Sequence, residues 1–121
     1  MAERPDASEL YREGRRLAEQ NQFEAAAVAF QRSAEIDPHF KTLELLGETL
    51  IRLNRFRDAI IPLAAATTLN KGCRAASLLS EAFLGLGDTL RAKEIAEIAL
   101  ARDPNNKRAL VVMRRASGQD L

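Results

Sequence analysis

One histidine and one cysteine are the chain's whole supply of the side chains that most often carry acid–base and nucleophilic chemistry. His39 follows Pro38 and reads as a surface turn residue. Cys73 opens a helical stretch. A helix N-terminus lowers a thiol pKa, but a small residue is also an ordinary way to begin a helix. Metal sites need several His, Cys, Asp or Glu at matched spacing, and no second histidine or nearby cysteine supplies one. No acid–histidine–nucleophile set can be assembled. Neither "LNKGC" nor "LGLGD" has the pattern of a phosphate-binding loop. These residues predict no enzyme, no cofactor and no metal.

What remains is charge and shape. Eighteen basic and 17 acidic side chains leave a net charge of +1, so there is no basic field for nucleic acid. Charged residues are 29% and apolar residues 46% of the chain, which suits a folded protein rather than a disordered one. The start, "MAERPDASEL", lacks the apolar core of a signal peptide. The longest apolar run, "AIIPLAAA", falls far short of the ~18 residues a membrane-spanning helix needs. With a single cysteine and no disulfide, the expectation is a cytoplasmic protein with no membrane insertion.

The elements that position these side chains repeat. Gly14, Gly47 and Ser80 lie 33 residues apart, as do Ala26, Ala59 and Ala92, and Ser33, Ala66 and Ala99. Leu17, Leu50 and Phe83 keep the same interval with large apolar groups. Phe30 and Leu63 keep it too, with Ala96 smaller in the third copy. Asn21, Asn54 and Gly87 recur as turn formers, and Asp37, Asn70 and Asp103 precede the longer breaks. Within each copy the apolar spacing is helical, and turn residues separate two stretches. Each copy is therefore two antiparallel helices. The expected helices are 7–20, 23–36, 40–53, 56–69, 73–86 and 89–102, with a seventh over 107–116. Asp6 and Asn21 have Glu three residues on, the spacing of a capping box, and Asp88 can cap the sixth helix. Gly14, Gly47 and Ser80 are expected to face Ala26, Ala59 and Ala92 where two helix axes approach closely. Pro62 should kink the fourth helix or leave its first turn irregular.

The stretch "LYREGRRLAEQNQFEAAAVAFQRSAEIDP", Leu10 to Pro38, resembles the tetratricopeptide repeat in Leu10, Gly14, Leu17, Ala26, Phe30 and Pro38, with Ser33 for the usual Ala. The family's period is about 34 residues; here it is 33, and the missing residue falls in the turn between repeats. The resemblance implies an all-α fold, a right-handed α-solenoid of three hairpins at about 7–39, 40–72 and 73–106 within one 1–121 domain. Helix 107–116 is expected to cap the array. Leu110 and Met113 would cover the last repeat, while Lys107, Arg108, Arg114 and Arg115 face water.

Stacked hairpins curve, and their first helices line a concave groove. Helical phase places Tyr11, Arg15 and Glu19 there, then Lys41, Glu44, Leu45, Glu48, Ile51 and Arg52, then Arg74, Ser77, Leu78, Glu81 and Leu84. Leu45, Leu78 and Ile51 or Leu84 would form an apolar strip with Tyr11 at one end, suited to a peptide or partner helix. The binding residues so expected are Tyr11, Arg15, Glu44, Leu45, Glu48, Arg52, Arg74, Leu78 and Glu81. The resemblance also implies a test of one ligand class. The family clamps the C-terminal carboxylate of chaperone tails with Lys, Asn and Arg. The matching positions here are Tyr11 and Arg15, Leu45, then Arg74 and Leu78, of which only the arginines could serve. The function expected is a non-enzymatic protein–protein interaction scaffold. The alternatives are self-assembly as a homo-oligomer and a secretion-type chaperone.

Overall fold

The structure, a computed structural model, describes residues 4–118. Residues 1–3 and 119–121, the ends of the 1–121 unit expected above, lie outside the described residues. Among the described residues seven helices follow one another: α1 (Ala7–Glu19), α2 (Phe23–Ile36), α3 (Phe40–Arg52), α4 (Phe56–Leu69), α5 (Cys73–Gly85), α6 (Thr89–Arg102) and α7 (Lys107–Ala116). Each helix packs on the next, and α3 lies beside α5 and α5 beside α7. That is a row of hairpins with the odd-numbered helices on one side, an all-α solenoid.

The tight turns inside the three hairpins share one geometry. Asn21, Asn54 and Gly87 adopt left-handed backbone, with φ of 59°, 58° and 81°. The next amide donates back to the helix just ended: Gln22 N to Leu17 O at 2.9 Å, Arg55 N to Leu50 O at 2.8 Å and Asp88 N to Phe83 O at 3.0 Å. This is a Schellman closure, which uses a residue that tolerates positive φ. Its demands explain the recurrence of Asn, Asn and Gly, and they correct one expectation. Asn21 ends the turn out of α1 and does not cap α2, whose N-cap is Gln22 without a side-chain bond. The other caps are in place. Asp6 Oδ1 accepts from the Glu9 amide at 2.8 Å and Asp88 Oδ1 from the Arg91 amide at 3.1 Å.

Small residues sit where a neighbour's bulk demands it. A methyl on Gly14 would lie 2.6 Å from the Phe30 ring, and one on Gly47 would lie 2.3 Å from Leu63 Cγ. The close partners are thus Phe30 and Leu63, one helical turn beyond the alanines expected from the repeat. Ala26, Ala59 and Ala92 are themselves fully buried. The main core runs through the hairpins by way of Phe30, Leu46, Leu50, Leu63, Leu78 and Leu79. The end of the stack is built from smaller groups, Ala76, Ala92, Ala96, Ala99 and Ala109 with Val112. Helix α4 runs without interruption from Phe56 to Leu69 with Pro62 inside it.

Helix α7 departs from the expectation in register. Helices α1, α3 and α5 begin 33 residues apart, but α7 begins 34 after α5. The turn before it, Asp103 to Asn106, is one residue longer, and Asn106 Oδ1 caps the helix from 2.9 Å at the Ala109 amide. The extra residue rotates α7 by one position. Ala109 and Val112 face the core, Met113 packs beside them, and Leu110 is left 40% exposed. Leu110 therefore does not cover the last repeat.

Candidate functional site

The face formed by α1, α3, α5 and α7 carries most of the polar residues expected in a groove. Its central feature is a ladder of charges. Arg74 of α5 reaches back to α3, with Nη2 3.0 Å from Glu48 and Nε 3.6 Å from Glu44. Arg108 of α7 reaches the other Glu48 oxygen at 3.5 Å and bonds Glu81 of α5 more closely. Glu48 thus holds one guanidinium on each oxygen. The order Glu44, Arg74, Glu48, Arg108, Glu81 ties three helices together by alternating sign. Each pair is partly solvated, so the individual contributions are small, roughly 0.2–1 kcal/mol; the geometric consequence is a face fixed in shape.

Arg108 was expected in water. The 34-residue offset from Arg74 puts it at the same helical phase and therefore on the same face. The signal is present in the sequence once α7 is aligned on its own start rather than on the 33-residue interval.

Glu44 is the most deeply buried carboxylate of the ladder. Burial pushes its carboxyl above the ordinary carboxylate value, and the neighbouring Glu48 adds to this. Arg74 and Lys41 pull in the other direction without overcoming the desolvation.

Next to the ladder, the surface between α1 and α3 opens into a hollow of about 240 Å³ lined by Arg15, Glu19, Phe23, Leu45, Glu48 and Arg52, with Phe30 behind. A second hollow of about 360 Å³ adjoins it, with Glu48 and Arg52 in both and Phe56, Glu81 and Arg108 beyond. Together they make a furrow across α1, α3, α5 and α7. Aromatic rings hold its arginines. The Arg15 guanidinium lies 5.9 Å from the Tyr11 ring centre and that of Arg52 5.3 Å from the Phe23 ring centre. Tyr11 meets Phe30 edge-on at 6.2 Å. Among the described residues neither Arg15 nor Arg52 forms an ion pair. Both residues are exposed.

The apolar strip expected along the groove is not there. Leu78 is 0% exposed, and Ile51 and Ser77 are buried as well. Helix α5 is flanked by α3, α4, α6 and α7, and its Leu78 joins the core between hairpins instead of facing out. Leu45 and Leu84 stay half-buried, and Leu45 lines the hollow together with Phe23, Arg15 and Arg52. His39 caps α3, its Nδ1 accepting from the Lys41 amide at 3.2 Å. Cys73 opens α5 with its Sγ 3.4 Å from Asn106 Nδ2. Among the described residues no three or more His, Cys, Asp or Glu are grouped to hold a metal ion, and no helix is long and apolar enough to cross a membrane.

Hairpins closed by a repeated Schellman turn, Gly against Phe or Leu, and first helices sharing one face together define an architecture found in solved structures. The first TPR of Spaghetti (RPAP3), bound to the HSP90 peptide SRMEEVD, superimposes with a TM-score of 0.86 at 24% identity over 93% of this chain and 91% of that one. This chain has the tetratricopeptide-repeat fold. The Arabidopsis OM64 TPR domain matches with a TM-score of 0.86 at 17% identity, covering 94% of this chain and 96% of its own. YrrB, a TPR protein with an unusual peptide-binding site, matches at 0.85 and 18% identity over 93% of this chain and 59% of its own. No protein-family model and no curated protein matches the sequence. At these identities the tetratricopeptide likeness is one of fold. In that fold α7 stands where the first helix of a further repeat would, with the bulky Arg114 at the small-residue position of Gly14, Gly47 and Ser80 when α7 is aligned on its start.

Proposed function

We propose that this chain is a protein-interaction module, acting without catalysis in a reducing compartment such as the cytoplasm, that receives a peptide or partner helix in the furrow across α1, α3, α5 and α7. Its three repeats are taken as about 7–39, 40–72 and 73–106, with α7 closing the array. The observation that carries the reading is the pair of arginines without ion-pair partners, Arg15 and Arg52, held on Tyr11 and Phe23 at either side of half-buried Leu45. A peptide laid there can bury an apolar side chain on Leu45 and present acceptors to the guanidinium groups. Glu44, Glu48, Arg74 and Glu81 act in this reading as the frame of the furrow, because their charges already face one another. Leu78 has no place in it. The fold neighbours include a repeat domain solved with an HSP90 peptide and another with an HSP70 peptide. Chaperone tails are nevertheless not the ligand class proposed here. Two of the five positions that would clamp a terminal carboxylate are Leu45 and Leu78, and the second is buried.

The test is selection of binders from a displayed random-peptide library, followed by affinity measurements on Arg52→Glu and Leu45→Ala. Each variant should lose about tenfold or more for the selected peptides, the effect of one truncated anchor. Undiminished affinity in both would overturn the placement of the site.

A further inference from the structure

A hollow larger than either half of the furrow lies elsewhere on the molecule. On the opposite side a depression of about 590 Å³ opens between α2 and α4, with buried Leu46 and Leu50 of α3 among its lining. Two bare aliphatic side chains stand at its edge, Val28 at 58% and Ile61 at 80% exposure. They occupy the same repeat position. The third copy has Glu94 there, and the equivalent pair Ile36 and Leu69, 57% and 55% exposed, gives way to Arg102. The apolar pattern at these two repeat positions is therefore confined to the first two hairpins, while α6 exposes Leu90 and Ile98 at other positions.

We propose that this outer face is a two-fold interface between two copies of the chain. Knob and hole lie side by side on one surface, which is the condition for an isologous contact: Ile61 of each copy enters the depression of the other, and both insertions occur at once. The charges on the rim select the same occupant. Arg32, Arg55, Glu35 and Asp58 supply two of each sign. Arg55 and Asp58 already pair at 2.9 Å, whereas Arg32 and Glu35 form no ion pair among the described residues. A two-fold axis sets Arg32 against the partner's Glu35 twice over. A partner of uniform charge would meet half of this rim with like charge. Because a two-fold contact uses the same face of both copies, it closes as a pair and does not propagate along the solenoid.

Sedimentation equilibrium of the full chain from about 1 μM to about 1 mM tests this, a range matched to ordinary association strengths. The wild type should pass from monomer to dimer with concentration. Ile61→Glu should raise the dissociation constant by about a hundredfold, since the side chain occurs twice in the contact and each burial is worth about tenfold. Its thermal midpoint should match the wild type's at a concentration where both are monomeric, because the side chain is exposed. Arg32→Glu and Glu35→Arg should each weaken the dimer, and the double reversal should restore it. A wild type that stays monomeric throughout, or a dimer unaffected by Ile61→Glu, would overturn the proposal. Furrow variants such as Arg52→Glu should leave the dimer constant unchanged, which separates this interface from peptide binding.

Discussion

Replacing Gly47 by alanine tests the packing on which everything else is hung. Alanine is the better helix former by about 1 kcal/mol, so propensity alone says that Gly47→Ala stabilises α3. Packing says the reverse. The added methyl would sit 2.3 Å from both Cγ and Cδ2 of Leu63 and 2.9 Å from Cδ1. A rotamer change cannot clear a clash at the branch point, and Leu63 is 0% exposed, so it has nowhere to go. Overpacking of this kind costs about 1–3 kcal/mol. With the propensity gain set against it, the net loss should be about 0–2 kcal/mol. Leu63→Ala alone should lose about 2–5 kcal/mol through its cavity. The double variant is the decisive one. Once the Leu63 branch is gone the methyl fits, so the double should lose less than the sum of the singles by about 1–3 kcal/mol. Urea denaturation of the four proteins gives these values from the midpoints at constant slope. Additive losses, or a stabilised Gly47→Ala, would show that the two helices are not held at this distance by the glycine.

Three further outcomes follow from particular residues. Asn54, at φ 58°, should tolerate Gly with equal or higher stability, whereas Asn54→Ala should lose about 1 kcal/mol by chemical denaturation, since a Cβ disfavours the left-handed turn. Glu44 binds its proton more tightly folded than unfolded, so stability should fall as pH rises from the ordinary value of 4.5 through the raised one. Glu44→Gln keeps the neutral form throughout; denaturation against pH should show it level with wild type in acid and more stable at neutral pH. Arg108→Ala frees α7 from α3 and α5 at a loss of about 1 kcal/mol or less, and amide exchange should quicken in α7 above all other helices.

Much of this architecture is legible in the residues. Helical periodicity, the Asn, Asn and Gly turns and the Asp6 and Asp88 caps are local properties, and they place all seven helices to within a residue. The site is less legible because exposure is a property of the stack. Leu45 and Leu78 share a repeat position, yet α5 is enclosed by four helices, so one is half-buried and the other wholly so. Gly14 and Gly47 announce a close approach without naming Phe30 and Leu63 as the groups approached. A single added residue of turn before α7 is enough to rotate Arg108 from water onto the inner face. The outer depression has no sequence signature beyond Val28 and Ile61, since solitary exposed aliphatic residues are common on any surface.

The most direct measurement of the central claim is an amide chemical-shift titration of the full chain with a peptide selected for binding. The account predicts that the perturbed residues cluster at Tyr11, Arg15, Leu45 and Arg52 and extend toward Arg108, with α2 and α4 silent along their outer faces. Perturbations confined to Val28, Ile61 and their neighbours on the outer face, with the furrow unmoved, would contradict it.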